Sequence, residues 1–306
     1  MTRGARWTFL LVAVVFWLLL LFGAYPFFAV NAPIGADVMV VEGWLDRNAL
    51  EQVRKLDDQA HYRHIYTTGV VRPVSYHLKN GEAIEGELRV PARANLSLTA
   101  AGLPGERLQV ILDRDTVLDT ELTGSSHAYR IALDHAVRLF RIGTPAGYGD
   151  TEHARAWIGG AWFDGNDLHR QARQVMLVKA DGSSQRMGST WAHQAAITLH
   201  DLGIPEERIT PKPTYGDPDG RTWTSAREFI EFAQANGIRS IDVVSLGVHA
   251  RRTRGLYRRA AQGSVRIGII SLPDRWCRPG DWWLHWYGWW KVLKEIVGAH
   301  QPYTAE

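Results

Sequence analysis

The residues with the most chemical promise stand just after short apolar runs. Glu42, Gly43 and Trp44 follow Asp37-Val38-Met39-Val40-Val41. Thr68 ends the run from His64, and Gly69 follows it. His249, Arg251 and Arg252 come just after the run 241–246. Arg221 and Thr222 stand just before a helical pattern. His249, Arg251 and Arg252 fall at a predicted helix start, where free N–H groups and the helix dipole attract anions. Arginine adds two-pronged binding of phosphate or carboxylate. Glu42, on the facing lip of the same cleft, is a candidate general base or a holder of a sugar hydroxyl. With His249 as its acid or phosphate clamp, the pair suits hydrolysis or transfer at a phosphoester. The plainer alternatives are a helix-entry carboxylate at Glu42 and a solvated basic face running on to Arg258 and Arg259.

A second group lies in the middle of the chain. Asp113, Asp115 and Asp119, then Asp150 and Glu152, then Asp164, Asn166 and Asp167 are acidic clusters. The last of these is a candidate Ca²⁺ site, although none has the twelve-residue EF-hand pattern. Trp157 and Trp162 could stack on sugar rings. Turn-forming Asp and Asn with core Trp is the plainer reading.

Other chemistries lack their motifs. The chain has no G-x-G-x-x-G, Walker loop, H-E-x-x-H or G-x-S-x-G. A single cysteine, Cys277, excludes a disulfide framework and a cysteine-based zinc cluster. A net charge of +3 on 306 residues gives no argument for nucleic acid as a partner. That charge is uneven. Residues 80–178 hold ten basic and 13 acidic residues, whereas 179–306 hold 17 basic and 13 acidic.

The elements that must position these groups are legible as patterns. After Gly35, strand 37–41, a helix over 48–59 and strand 64–68 are predicted. Asn48-x-x-Glu51 reads as the helix start. The alternation resumes with helices 190–202 and 224–236, strand 241–246, helix 250–261 and strand 265–270. Ser225-x-x-Glu228 reads as a capping box. Repeated β-α units imply a parallel sheet with helices on both faces, an α/β fold. Between them, stretches at 95–99, 108–112, 128–133 and 137–142 alternate with period two, as an antiparallel β-sandwich would. The expected organisation is therefore an N-terminal segment 1–33, a discontinuous α/β domain at 34–79 and 180–306, and an inserted β-sandwich at 80–179.

The N-terminal segment has no charge from Trp7 to Ala36. A helix over that run would exceed the ~30 Å of a bilayer core. Arg3 and Arg6 precede it, which keeps the amino terminus in the cytoplasm and the rest outside. The expectation is a single-pass membrane protein with its C-terminal part outside the cytoplasm. A cleaved signal peptide ending near Val30-Asn31-Ala32 is the competing reading. Six of the 13 Trp lie between 276 and 290. Trp282, Trp286, Trp289 and Leu293 are spaced as one helix face, expected to pack on the sheet.

Taken together, three stretches resemble the ElyC/SanA/YdcF-like family of bacterial envelope proteins. They are Ala36 to Leu45, Asp219-Gly220-Arg221-Thr222-Trp223-Thr224-Ser225-Ala226, and Leu246-Gly247-Val248-His249-Ala250-Arg251-Arg252-Thr253. Leu202-Gly203-Ile204-Pro205 and Trp282-Trp283 with Glu295 agree in order. The resemblance covers roughly 34–75 and 180–303. It departs from the family pattern at Gly69-Val70, where relatives carry two glycines. It departs again at His193, where they tend to carry Glu, and at Gly220, which parts Asp219 from Arg221. The resemblance implies a Rossmann-like sheet behind a membrane anchor and a role in envelope upkeep. It also implies that Glu42, Arg221, Thr222, His249, Arg251 and Arg252 line the cleft. The insert resembles Ca²⁺-dependent carbohydrate-binding sandwiches.

The expected function is binding of an anionic ligand, a sugar phosphate or lipid-linked intermediate, with glycan held by the insert. Two alternatives stand beside it. One is a nucleotide- or S-adenosylmethionine-binding, transferase-like protein, which is at odds with export. The other is a non-catalytic glycan-binding scaffold.

Overall fold

A computed structural model describes residues 3–147, 153, 155–216 and 220–298. Asp150, Glu152 and Asp219 lie outside the described residues. The chain divides into two compact units, one of residues 1–70 with 198–306 and one of residues 71–197. The sequence reading places the second unit's limits later at its start and earlier at its end, because Val71 to Lys79 and the stretch after Val178 carry weak patterns.

The first unit begins with helix α1 (Arg3–Phe28). Strand β1 (Val38–Glu42), helix α2 (Arg47–Ala60) and strand β2 (His64–Val70) follow. Helix α3 (Trp191–Asp201) begins in the second unit and ends in the first, and strand β3 (Ile209–Thr214) and helix α4 (Arg221–Ala235) follow it. Strand β4 (Ser240–Leu246), helix α5 (Ala250–Ala261), strand β5 (Arg266–Leu272) and helix α6 (Trp286–Gly298) complete the first unit.

The five strands form one parallel sheet in the order β3-β2-β1-β4-β5. Chain order runs outward from β1 to one edge, then returns to place β4 on its other side. The reversal falls between β1 and β4. The helices diverge there, and their divergence leaves a crevice at the carboxyl ends of the strands. All five residues of β1 are buried, as a strand covered on both faces requires. Its neighbours Ile241, Val243 and Ile269 pack with Phe229, Ile230 and Tyr257 of α4 and α5.

Strand β3 is absent from the sequence reading. Its Pro211 and Pro213 argue against a strand, but β3 is an edge strand bonded on one side only, where a missing N–H costs little. Two helix starts also differ from expectation. Asp46, not Asn48, caps α2, its carboxylate accepting from the Ala49 N–H at 2.9 Å. Helix α4 begins at Arg221 after Gly220 (φ 97°), so Ser225 is a buried residue inside it and not a cap.

A buried aspartate locks the entry to the sheet. Asp242 of β4 accepts from the N–H groups of Ile34 (2.8 Å) and Ala36 (3.0 Å) and from the Tyr62 hydroxyl (3.3 Å). Ala32 bridges Ile269 through both backbone bonds, at 2.8 and 3.1 Å.

The second unit is two antiparallel sheets sharing one apolar core. The first holds Tyr76–Leu78, Asn95–Gly102, His127–Ala132, Ala156–Phe163 and Asn166–Asp167. The second holds Ala83–Ala92, Arg107–Leu112, Asp115–Glu121, Val137–Gly143, Ala172–Val178 and Ser184–Met187. Burial alternates along Asn95–Gly102 and Arg107–Leu112, with Leu96, Leu98, Leu108 and Val110 inward. His169 is fully buried in this core, and burial pushes its pKa down. It is held neutral between the Arg72 carbonyl (2.8 Å) and the Tyr76 hydroxyl (2.6 Å).

The acidic cluster Asp164, Asn166 and Asp167 is engaged by its own turn. Both Asp164 oxygens accept backbone N–H groups, from Arg93, Ala94 and Asn95 at 2.7 to 2.9 Å. Asp167 accepts from the His169 N–H at 2.8 Å, and Asn166 donates to the Asp164 carbonyl at 3.1 Å. Their oxygens therefore serve the turn, and no group of three His, Cys, Asp or Glu suited to a metal exists among the described residues.

Candidate active site at the sheet crossover

Strands β1 and β4 end side by side, so Glu42 and the turn Gly247–His249 meet where the sheet order reverses. The Gly43 N–H donates to the Thr68 carbonyl at 2.7 Å, which holds the β1 loop against the end of β2. Gly247 has a φ of 48°, and a side chain there would press on Asp274 and on the Tyr25 hydroxyl. This tight turn delivers His249 to the crevice.

Both ring nitrogens of His249 face carboxylates. Nδ1 lies 2.9 Å from Glu295 Oε1, and Nε2 lies 3.8 Å from Glu42 Oε1. Nδ1 also lies 3.0 Å from an Arg252 guanidinium nitrogen, so Glu295 and Arg252 together hold this side of the ring. The longer contact, to Glu42, exceeds hydrogen-bond distance, so Nε2 has no hydrogen-bond partner among the described residues. Trp44 packs edge-on against the imidazole at 5.3 Å. Glu42 is almost fully buried and accepts from the Thr253 hydroxyl at 3.1 Å. Ser245 supports Thr253 at 3.2 Å.

Glu295, on α6, is also buried. Burial alone pushes its carboxyl up, but the His249 bond and charge, with the Arg252 charge, outweigh that and hold it below the usual range. Arg252 pairs with Glu295 at 2.8 Å through Nε. It is thus a positioning residue for Glu295 and not a free anion holder. Arg251 turns away too, its guanidinium donating to the Phe27 carbonyl at the end of α1 and lying 3.9 Å over the Phe27 ring.

The remaining nominated residues divide. Thr68 is buried and shares a 3.3 Å hydrogen bond with Tyr257, whose hydroxyl is pushed up by burial. Gly69 lies inside β2, paired with Pro213. Arg221 is exposed and Thr222 half-buried at the start of α4. Neither side chain has a partner among the described residues. The structure therefore joins Glu42 and His249, and it adds Trp44, Thr253 and Glu295. Glu295 had a signal in the sequence: it is the one acid in a helix whose other charged residues are Lys291 and Lys294, and a buried carboxylate needs a partner.

A hollow of about 410 Å³ opens at the same end of the sheet. Asn48 and Gln52 of α2 line one wall, and Leu246, Asp274, Arg275 and Arg278 the other. Glu42 and His249 do not line it. Arg275 and Arg278 are exposed, and Arg275 lies 4.9 Å over the Trp276 ring. A smaller hollow of about 320 Å³ sits near the buried Asp57–Arg208 pair. Tyr62 and Arg208, which also line it, precede β2 and β3, so it lies at the opposite, amino end of the sheet.

No family model and no curated protein matches the chain. Among solved structures it is similar to a family two carbohydrate esterase from Clostridium thermocellum in complex with cellohexaose. That match has 9% identity and a TM-score of 0.22, covering 75% of this chain and 82% of that one. An acetyl xylan esterase from the rumen bacterium Butyrivibrio proteoclasticus matches at 9% identity and a TM-score of 0.22, covering 68% and 86%. At this TM-score neither likeness carries an argument about fold or chemistry.

Proposed function

We propose that this chain is an envelope protein of the inner membrane that binds a lipid-linked sugar phosphate at the sheet crossover. His249 moves a proton there. The observation that carries the reading is His249, held at Nδ1 by Glu295 and Arg252 and without a hydrogen-bond partner among the described residues at Nε2, beside Glu42. In the enzymatic form, Glu42 accepts a proton from an attacking water or hydroxyl. His249, protonated at Nε2, returns one to the departing oxygen as the P–O bond breaks. Arg275 and Arg278, free of ion pairs among the described residues, line the neighbouring hollow at the same end of the sheet and are the anion holders of this reading. The resemblance to the ElyC/SanA/YdcF-like family agrees in placing Glu42 and His249 together.

The membrane part of the proposal rests on α1. Its stretch Leu10–Phe28 is apolar and long enough to cross a bilayer, a test that a signal sequence also passes. The uncleaved reading is favoured by packing. Tyr25 and Phe28 are buried with Val248, Cys277, Trp282 and Val292, and the Trp282 indole donates to the Leu21 carbonyl at 3.2 Å. Arg3 and Arg6 favour a periplasmic C-terminal part.

Titration of the full chain in detergent micelles with a polyprenyl-phosphate sugar tests the site. Binding should weaken about tenfold or more in Arg275→Ala/Arg278→Ala, the loss expected for charge-assisted hydrogen bonds. Equal affinity in the double variant would remove these residues from the site.

A second reading, glycan binding by the 71–197 unit, is favoured by one observation. Trp157 and Trp162 are five apart on one strand, which should put them on opposite faces. A bulge between Ile158 and Gly160 restores one face, so Trp157 pairs with Ala101 and Trp162 with Ser97, on the outer side of that sheet. Both indoles lie down over glycine. A Cβ on Gly159 would stand 2.2 Å from the Trp157 ring, and one on Gly160 2.2 Å from the Trp162 ring. Flat rings with one open face are platforms for the apolar face of sugars. Retardation of the protein in gels cast with soluble envelope polysaccharide should be lost in Trp157→Ala/Trp162→Ala. Equal retardation of both proteins would end this reading.

A further inference from the structure

Helix α6 turns its most apolar stripe outward. Trp282 and Val292 are buried and Trp289 is half-buried, so the sequence-predicted face of Trp282, Trp286, Trp289 and Leu293 is split. Trp286 (79% exposed), Trp290 (55%), Leu293 (45%) and Val297 (65%) form a stripe at i, i+4, i+7 and i+11. Five side chains on that side, with Tyr287, would be an aggregation liability in water.

The partner of α6 shows what covers the stripe. Its inner face and the turn before it pack on α1 and not on the sheet. Trp289 meets Trp17 edge-on at 6.2 Å, and Trp283 meets Phe22 at 5.5 Å. If Leu10–Phe28 crosses the bilayer, Trp17 lies about 16 Å along the helix from Phe28, at ~1.5 Å per residue. That is close to the middle of a ~30 Å hydrocarbon core. The exposed α1 residues Val14, Phe16, Leu18 and Phe22 are continuous with the α6 stripe through these ring contacts. No soluble occupant can reach that depth.

We infer that α6 is a second membrane-seated element, a helix sunk in the outer leaflet beside α1 with its Trp286–Val297 stripe on lipid. It resembles an interfacial amphipathic helix in chemistry, with Lys294 exposed beside the apolar stripe. The inference rests on the reading of α1 as an uncleaved span. It also deepens the proposed function. Glu295, which orients His249, is carried on this helix, so the site is built at the bilayer surface, where a lipid-linked ligand presents its phosphate.

The full chain, reconstituted in phosphatidylcholine–phosphatidylglycerol vesicles, tests this with an environment-sensitive fluorophore on single introduced cysteines. The native Cys277 is fully buried and unreactive in the folded chain. Labels in Trp286→Cys, Trp290→Cys, Val12→Cys and Arg258→Cys are challenged with quenchers attached to the lipid chains. Quenching at 286, 290 and 12, with none at 258, is the expected result. Quenching at 12 but not at 286 and 290 overturns the seating of α6 and leaves the span of α1 standing. Quenching at none of them overturns both. Quenching at 286 and 290 without 12 removes the span and overturns the placing of α6 beside it. The exposed positions chosen leave the packed face of α6 intact, and a native-like melting transition in each variant confirms that.

Discussion

Turnover of a phosphoester ligand by the His249→Gln protein should fall by about 10²–10⁴-fold, the usual contribution of a positioned acid or base. The fold should survive, because the imidazole is a lining group and Gln occupies similar space. Glu42→Gln should show a comparable loss, and undiminished turnover there would end its role as base. Glu295→Gln separates positioning from chemistry. It keeps the shape but removes the charge beside the His249 ring, so its kcat should drop with a shifted pH profile while KM moves little. Equal turnover in wild type and His249→Gln, measured by release of phosphate or of the lipid alcohol, would sink the catalytic form of the proposal. Retained binding in that case would leave a binding protein.

Trp282→Ala should be the most damaging single change to the fold of the first unit. Trp282 is fully buried, and its indole donates to the Leu21 carbonyl. Deleting a buried tryptophan costs about 3–5 kcal/mol, through lost burial and the cavity left behind. The loss should appear as a lower melting temperature of the full chain in micelles. Trp286→Ala is the matched control: at 79% exposed it should change stability by less than about 0.5 kcal/mol. A similar, small effect of both changes would mean that α1 and α6 do not depend on one another.

How much of this was legible in the sequence follows from what each pattern encodes. Continuous apolar runs gave β1 and β4, and helical spacing gave α2 and α5 nearly to their ends, because burial acts on those positions directly. Glu42 and His249 stood out because each immediately follows such a run. Strand β3 was hidden by Pro211 and Pro213, since its edge position is a tertiary fact. The partners of the arginines were hidden for the same reason. Arg251 and Arg252 have the right type and place for an anion, and only the approach of α1 and α6 reveals that Phe27 and Glu295 already hold them. The acidic turn at Asp164 is ambiguous in sequence because backbone N–H groups and a cation ask for the same oxygens. Conversely, the pairing of Trp157 with Trp162 depends on a one-residue bulge that no periodicity announces.

The stretch between Phe28 and Val38 has a consequence for reach. Nine free residues would let a domain wander roughly 15–18 Å from its anchor. Here they cannot, because Ala32 is bridged to Ile269 and the N–H groups of Ile34 and Ala36 are held by Asp242. The parallel-sheet unit is therefore bolted to α1 and not leashed to it. With α1 upright in a bilayer, the crevice at Glu42 and His249 works at one fixed height above the lipid. On the proposed function, that fixed height would select a ligand by the distance between its phosphate and the membrane.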